Sequence, residues 1–197
     1  MILMAALLLA MVAAWIRGGR LAALADVDLR WGWLALLGLA LQLGVIYGPV
    51  PTTPDGRSAQ ALLLMGSYGL LCVFAALNRR SPGMPWLAAG MGLNLLVMAA
   101  NGGFMPVTPE VLEAAGLGHL VSAPLEGTRV PMSKDIVLAK EATRLWWLGD
   151  LFVLRPPART AFSPGDVALA LGALIFFHQS MRPSPANERL MAAETEN

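Results

Sequence analysis

Residues 59–80 read AQALLLMGSYGLLCVFAALNRR. No charged side chain interrupts the run from Ala59 to Leu77, and Asn78, Arg79 and Arg80 close it. A bilayer core of about 30 Å needs roughly 20 apolar residues in a helix. This stretch is therefore read as a membrane span, and it sets the reading of its neighbours. Four further segments share the pattern. Met1–Ile16 is ended by Arg17, Gly18, Gly19 and Arg20. Trp31–Tyr47 is closed by Gly48 and Pro49. Trp86–Ala100 is closed by Asn101, Gly102 and Gly103, and Pro164–Ser180 by Arg182 and Pro183. Several are short, which predicts little tilt or flanking residues drawn into the interface. The fold class expected is all-α: a polytopic membrane helical bundle of about five transmembrane helices, residues 1–181, with one large extracytoplasmic loop holding short or interfacial helices.

Composition agrees. Of 197 residues, 56 % are hydrophobic and 14 % charged, and the mean hydropathy is +0.60. Soluble domains carry about 25 % charge, so the deficit argues against a soluble globular chain and against a disordered one. A net charge of +1 offers no basic field for nucleic acid. The single cysteine, Cys72, rules out an intrachain disulfide and a cysteine-based metal cluster.

Arginines set the predicted orientation. Arg17, Arg20, Arg30, Arg79, Arg80, Arg182 and Arg189 fall on one side, and Arg57 alone on the short loop of the other. The positive-inside rule then puts the N-terminus outside and the C-terminus in the cytoplasm of a multi-pass cell-membrane protein. Trp31, Trp33 and Trp86 stand at span ends, as an aromatic belt requires. No positive charge precedes the first run and two arginines follow it, the reverse of a cleaved signal peptide, so it is read as a retained span. The tail 182–197 has little to bury and is read as disordered.

Lipid does not drive helices together, so small residues must let them approach. Ala40/Gly44, Ala88/Gly92 and Ala168/Gly172, each four apart, are the candidate packing faces. Polar residues inside the spans are Gln42, Ser67, Tyr68 and Asn94, none of them ionised. That scarcity counts against a pump or proton-coupled transporter. Asn94 and Gln42 are read as interhelical links. Ser163, Pro164 and Asp166 make a capping box with Asp in place of Glu.

The outer segment 101–163 holds the only dense set of reactive side chains. Gly102–Gly103 permits a turn, Thr108 and Pro109 start a short helix, and Gly116 ends it. Residues 134–154, KDIVLAKEATRLWWLGDLFVL, are read as a helix lying in the membrane surface. Wound so, Lys134, Lys140, Glu141 and Arg144 share one side, and Glu141 can pair with Arg144. The candidate polar cluster is Asn101, His119, Glu141, Arg144, Asp150 and Asp166. Arg144 or Lys140 can hold a phosphate, and Glu141, Asp150 or His119 can act as a base. The stronger expectation is a salt-bridge network that pins the loop. No phosphate-binding loop, HExxH or GxSxG is present. His119 and His178 lie on the order of 20 Å apart along the bilayer normal, too far to share a haem. No cofactor and no metal is therefore expected.

The order of the pieces GGR (18–20), RWGWLAL (30–36), LNRR (77–80), NGGFMPV (101–107), GLGHL (116–120), TRLWWLGD (143–150) and FSPGD (162–166) resembles a family of small bacterial polytopic membrane proteins known only as a domain of unknown function. NGGFMPV and TRLWWLGD are its most specific pieces. The resemblance implies a shared architecture of several spans and one outer loop, and no chemistry.

Three functions follow in order. The first is a structural or accessory membrane subunit, partnered by the bilayer and by another membrane protein or a second copy. The second is a membrane enzyme or binder acting on lipid or a lipid-linked substrate at the outer face. The third is a small-solute transporter, ranked last because the bundle offers so few polar groups.

Overall fold

A computed structural model gives the structure, and it describes residues 2–49, 54–120, 126–155 and 158–182. The chain is mostly helical. Five long helices form the body: α1 (Ile2–Ile16), α2 (Gly32–Tyr47), α3 (Pro54–Leu77), α4 (Met84–Ala100) and α6 (Pro164–Ser180). Between α4 and α6 lie β1 (Met105–Val107), α5 (Pro109–Ala114), β2 (Asp135–Val137), β3 (Phe152–Leu154) and β4 (Thr160–Phe162). Among the described residues, one helix, over Arg57–Leu77, is long and apolar enough to cross a membrane. Ala6–Ile16, Gly32–Tyr47 and Met84–Ala100 are shorter apolar helices. The expected tail 182–197 lies outside the described residues except for Arg182.

The long helices pack in the order α1–α6–α4–α3–α2. The α4–α6 seam is the closest. A Cβ built on Gly172 would stand 2.7 Å from the Leu87 nitrogen and 2.9 Å from the Gly83 oxygen, so only glycine fits there. Gly90 likewise faces the Gly165 and Leu169 backbone. Two expected packing glycines do not take part: nothing lies within 4 Å of a Cβ on Gly44 or Gly92. Helical geometry explains the second, because residues two apart point about 200° away from each other, so Gly92 faces outward when Gly90 faces α6.

Helix termini collect at two ends. At the arginine end, Arg20 N–H donates to the Met181 carbonyl (2.7 Å). Asn78, just past α3, accepts from Arg30 N–H (2.8 Å) and donates to the Arg30 carbonyl (2.9 Å). The opposite end is capped by residues 101–120, 126–155 and 158–163. The core runs from the bundle into this cap through Leu64, Val97, Met98 and Met105, all fully buried. Outward, the helices expose apolar side chains, Leu36 and Leu62 each at 71 % and Trp31 at 58 %.

The cap corrects the all-α expectation. β1 and β2 pair in parallel, Met105 against Asp135 and Val107 against Val137. β3 and β4 pair antiparallel, Phe152 against Phe162. Asp150 bridges Val107 on the side of β1 away from β2. Short triplets of β-branched and aromatic residues suit this pairing. The predicted surface helix over 134–154 does not form. Ile136 and Val137 belong to a strand, Thr143 is extended, and Leu145 sits at a left-handed φ of 53°, which ends helical continuity. What remains helical there are two short turns, Lys140–Ala142 and Trp146–Leu148. Other local expectations hold. Gly102 and Gly103 turn at φ of 76° and 89°. Thr108 caps α5, accepting from Val111 N–H (3.4 Å), and Gly116 at φ 72° follows its end.

Candidate functional site

The site forms where the cap meets α4 and α6. Ser163 begins α6 with the expected capping box: its Oγ accepts from Asp166 N–H (3.1 Å), and Asp166 Oδ2 accepts from Ser163 N–H (3.1 Å). Two orphan donors of the helix start are thereby satisfied. Asn94 of α4, fully buried, closes the ring. Its Nδ2 donates to Asp166 Oδ1 (2.9 Å), and its Oδ1 accepts from Ser163 Oγ (2.8 Å). This bears out the reading of Asn94 as an interhelical link.

Lys134 enters from the cap. The Lys134 carbonyl accepts from Met105 N–H (3.0 Å), so β1 fixes the backbone that presents the side chain. Its ammonium stands 3.3 Å from Asp166 Oδ2 and 3.9 Å from Asp150 Oδ1. Asp150 is held by its own N–H, which donates to the Pro106 carbonyl (3.1 Å). Burial works against the lysine's charge, but Asp150 and Asp166 beside it hold its pKa well above the usual value. Burial pushes the Asp150 carboxyl well above the ordinary carboxylate range, against the pull of Lys134 and with the repulsion of Asp135 and Asp166.

A second buried cation ties the cap to α3. Arg129, 3 % exposed, donates to Gln60 Oε1 and to the Ser133 carbonyl and lies over the Phe104 ring at 4.9 Å. Burial lowers its pKa and Asp135 works in the opposite direction.

Of the six predicted residues, Asp150 and Asp166 come together around Lys134. Asn101 joins the cap to α4 by backbone: it accepts from Arg144 N–H (2.9 Å) and donates to the Arg144 carbonyl (2.8 Å). The exposed Arg144 is thus held through its main chain. Glu141 and His119 are also exposed, and the expected Glu141–Arg144 pair is not formed. The absent helix is the reason, since Thr143 and Leu145 turn the two side chains out of i,i+3 register. Sequence reading missed Lys134 as the centre and Arg129 and Asp135 altogether. The usable signal was charge arithmetic: three aspartates in the cap and at the α6 start, where burial demands nearby cations.

Asp150 also stands in the wall of a cavity of about 180 Å³, with Thr108, Lys140, Thr143 and Trp146 among its other lining residues. The Lys140 ammonium lies 3.8 Å from the Trp146 ring centre, a cation–π contact. Among the described residues, no group of three His, Cys, Asp or Glu is placed to hold a metal ion.

No curated protein and no solved structure matches the chain. A family model covers most of its length, residues 26–178, and by that match the chain belongs to a family of unknown function, DUF5317.

Proposed function

We propose that the protein is a multi-pass membrane protein of five spans and that it serves as a structural or accessory subunit. The membrane reading is supported by the apolar side chains exposed around the bundle, which water would penalise and lipid would not. The N-out orientation is supported by Arg17, Arg20, Arg79, Arg80 and Arg182 gathering at one end, with exposed Trp31, Trp33 and Trp86 near it. One observation carries the accessory role: among the groups most able to do chemistry, Asp150, Asp166 and Asn94 are buried, and the half-buried Lys134 reaches in to pair with the two carboxylates, closing the cap on the bundle. The test is gentle purification from native membranes with mass spectrometry of everything retained. A stoichiometric membrane-protein partner or a stable homo-oligomer is expected. A monomer with no retained protein would overturn the role. Orientation is checked by single cysteines at Arg57 and Arg79 in a Cys72→Ala background, where an impermeant thiol reagent added outside should label position 57 only.

The cavity beside Asp150 favours a second reading, a binder of a lipid headgroup or lipid-linked substrate at the outer face. Lys140 would meet an anionic group, Thr108 and Thr143 supply hydroxyls, and the exposed Trp146 stands in the cavity wall. Lys140→Ala with Thr143→Val should then strip a defined lipid from otherwise folded protein. Retention of that lipid by the double variant would count against this reading.

A further inference from the structure

The arginine end holds a second cavity, of about 500 Å³. That lies within the roughly 300–1,000 Å³ of small-molecule sites. Three arginines line it from two separate stretches of chain: Arg30, just before α2, and Arg79 and Arg80, in the turn after α3. The fold builds this meeting. Asn78, 4 % exposed, accepts from Arg30 N–H (2.8 Å) and donates to the Arg30 carbonyl (2.9 Å), which fixes Arg30 beside the end of α3. The Ser81 N–H closes the turn on the Asn78 carbonyl (2.8 Å). Gly83, buried at the far side of the turn, seats it against the Gly172 carbonyl of α6.

The charge gathered there is left unspent. Among the described residues, no acid forms an ion pair with Arg30, Arg79 or Arg80, and all three are exposed. Asp28 stands in the same wall, so the lining carries three positive charges and one negative. Like charges so placed repel, and an anion among them removes that cost. The planar fork of arginine matches the oxygens of a phosphate. The rest of the setting is apolar. Ala76 and Leu77, exposed on the last turn of α3, complete one wall. Trp31 and Trp33 follow Arg30, both exposed and stacked with ring centres 5.9 Å apart. Tryptophans so exposed mark the level of lipid headgroups. Phosphate-binding side chains at that depth, beside an apolar wall, suit an anion that carries hydrocarbon.

We propose that Arg30, Arg79 and Arg80 form a site for the phosphate of one anionic phospholipid, phosphatidylglycerol in class, drawn from the cytoplasmic leaflet. The inference rests on the membrane reading and orientation given above, and it is separate from the cavity beside Asp150 at the other end. The arginines take the phosphate, and the acyl chains run along the apolar side of α3. Asp28 faces the headgroup as an acceptor, which suits the hydroxyls of a glycerol head. A net charge of +2 in the lining favours a lipid of net negative charge over a zwitterion. Arg17 and Arg182 belong to the same end but not to the lining, and Arg182 is engaged with His178, 2.9 Å away. They serve as the internal control: equal charge, no cavity.

The test is native mass spectrometry of the full-length protein, extracted from membranes, delipidated in detergent and titrated with phosphatidylglycerol or phosphatidylethanolamine. One phosphatidylglycerol per chain should bind more tightly than phosphatidylethanolamine. Each arginine near a lipid surface is worth about fivefold. Arg30→Gln should therefore weaken binding about fivefold, and Arg79→Gln with Arg80→Gln about 25-fold. Arg17→Gln with Arg182→Gln, which removes the same charge as the second variant, should leave binding unchanged. Equal weakening by the two double variants would overturn the proposal, as would equal binding of the two lipids. Displacement of the lipid by millimolar inorganic phosphate would make free phosphate the ligand and overturn the lipid assignment. If a variant fails to fold, the wild-type preference between the two lipids decides. Recovery of the native protein without membranes would overturn the membrane reading and the lipid site together, whereas a membrane-extracted protein that binds neither lipid overturns the site alone.

Discussion

The two ends of the bundle use the same fastening and differ in what surrounds it. At the arginine end, Asn78 follows α3, donates back to the Phe74 carbonyl (2.8 Å) and grips both backbone polar groups of Arg30. At the capped end, Asn101 follows α4, donates back to the Val97 carbonyl (2.7 Å) and grips both backbone polar groups of Arg144. In each case an asparagine ends a helix, satisfies one of its last carbonyls and imitates a strand edge for a distant loop. Around Asn78 the charges stay in water, as Arg79 and Arg80 are exposed. At the capped end Arg129, Asp150 and Asp166 are drawn inside, and the half-buried Lys134 reaches in to the two carboxylates. The shared clasp positions a loop, and the buried charges at one end alone make that loop a lid whose removal is costly.

The largest expected break in this comparison comes from Lys134→Met. It strips the cation from two buried carboxyls, which typically costs about 3–5 kcal/mol, and should sharply lower thermal stability in detergent. Arg79→Ala and Arg80→Ala, exposed at the other end, should stay within about 0.5 kcal/mol of wild type. Equal losses at both ends would remove the distinction. Next come the clasps. Asn78→Ala and Asn101→Ala should each cost about 1–3 kcal/mol by leaving backbone groups unpaired. The larger loss is expected at Asn78, which is 4 % exposed, and denaturant unfolding of the two variants tests that order.

The pH dependence separates the ends further. Folded Asp150 keeps a proton that the unfolded chain surrenders above about pH 4. Within that window the native state binds more protons, so stability should fall as pH rises through the raised Asp150 pKa, by at most about 1.4 kcal/mol per pH unit per proton. Asp150→Asn should flatten the curve. The smallest effects belong to Glu141→Ala and Arg144→Ala, within about 0.5 kcal/mol, because both side chains are exposed and unpaired and Arg144 is held by its backbone. A large loss at Arg144 would restore the side-chain role that its sequence context suggests.

Long apolar runs were legible because composition and length alone mark them, and the helices stand where Trp31–Tyr47, Trp86–Ala100 and Pro164–Ser180 are predicted, to within two residues. Ser163, Thr108 and Gly102–Gly103 were legible because caps and turns are decided locally. The cap was not. Whether KDIV extends or coils depends on β1, some 30 residues away, and a period count over 134–154 cannot see that partner. The same failure hid Lys134: on a surface helix it faces water, whereas beside β1 it points between α6 and Asp150. Asp150 and Asp166 were found because acids near span ends are conspicuous. Glu141 and His119 drew attention for their type alone.

Hydrogen exchange read by mass spectrometry on detergent-solubilised wild type and Lys134→Met tests the lid most directly. In the wild type the amides of Met105, Val130, Val137 and Asp150, all hydrogen-bonded within the cap, should exchange slowly. In the variant they should lose protection together, with Arg30, Asn78 and Met84 at the arginine end unchanged. Unaltered protection in the cap, or equal loss at both ends, would contradict the claim that buried charge fastens one end of this bundle and not the other.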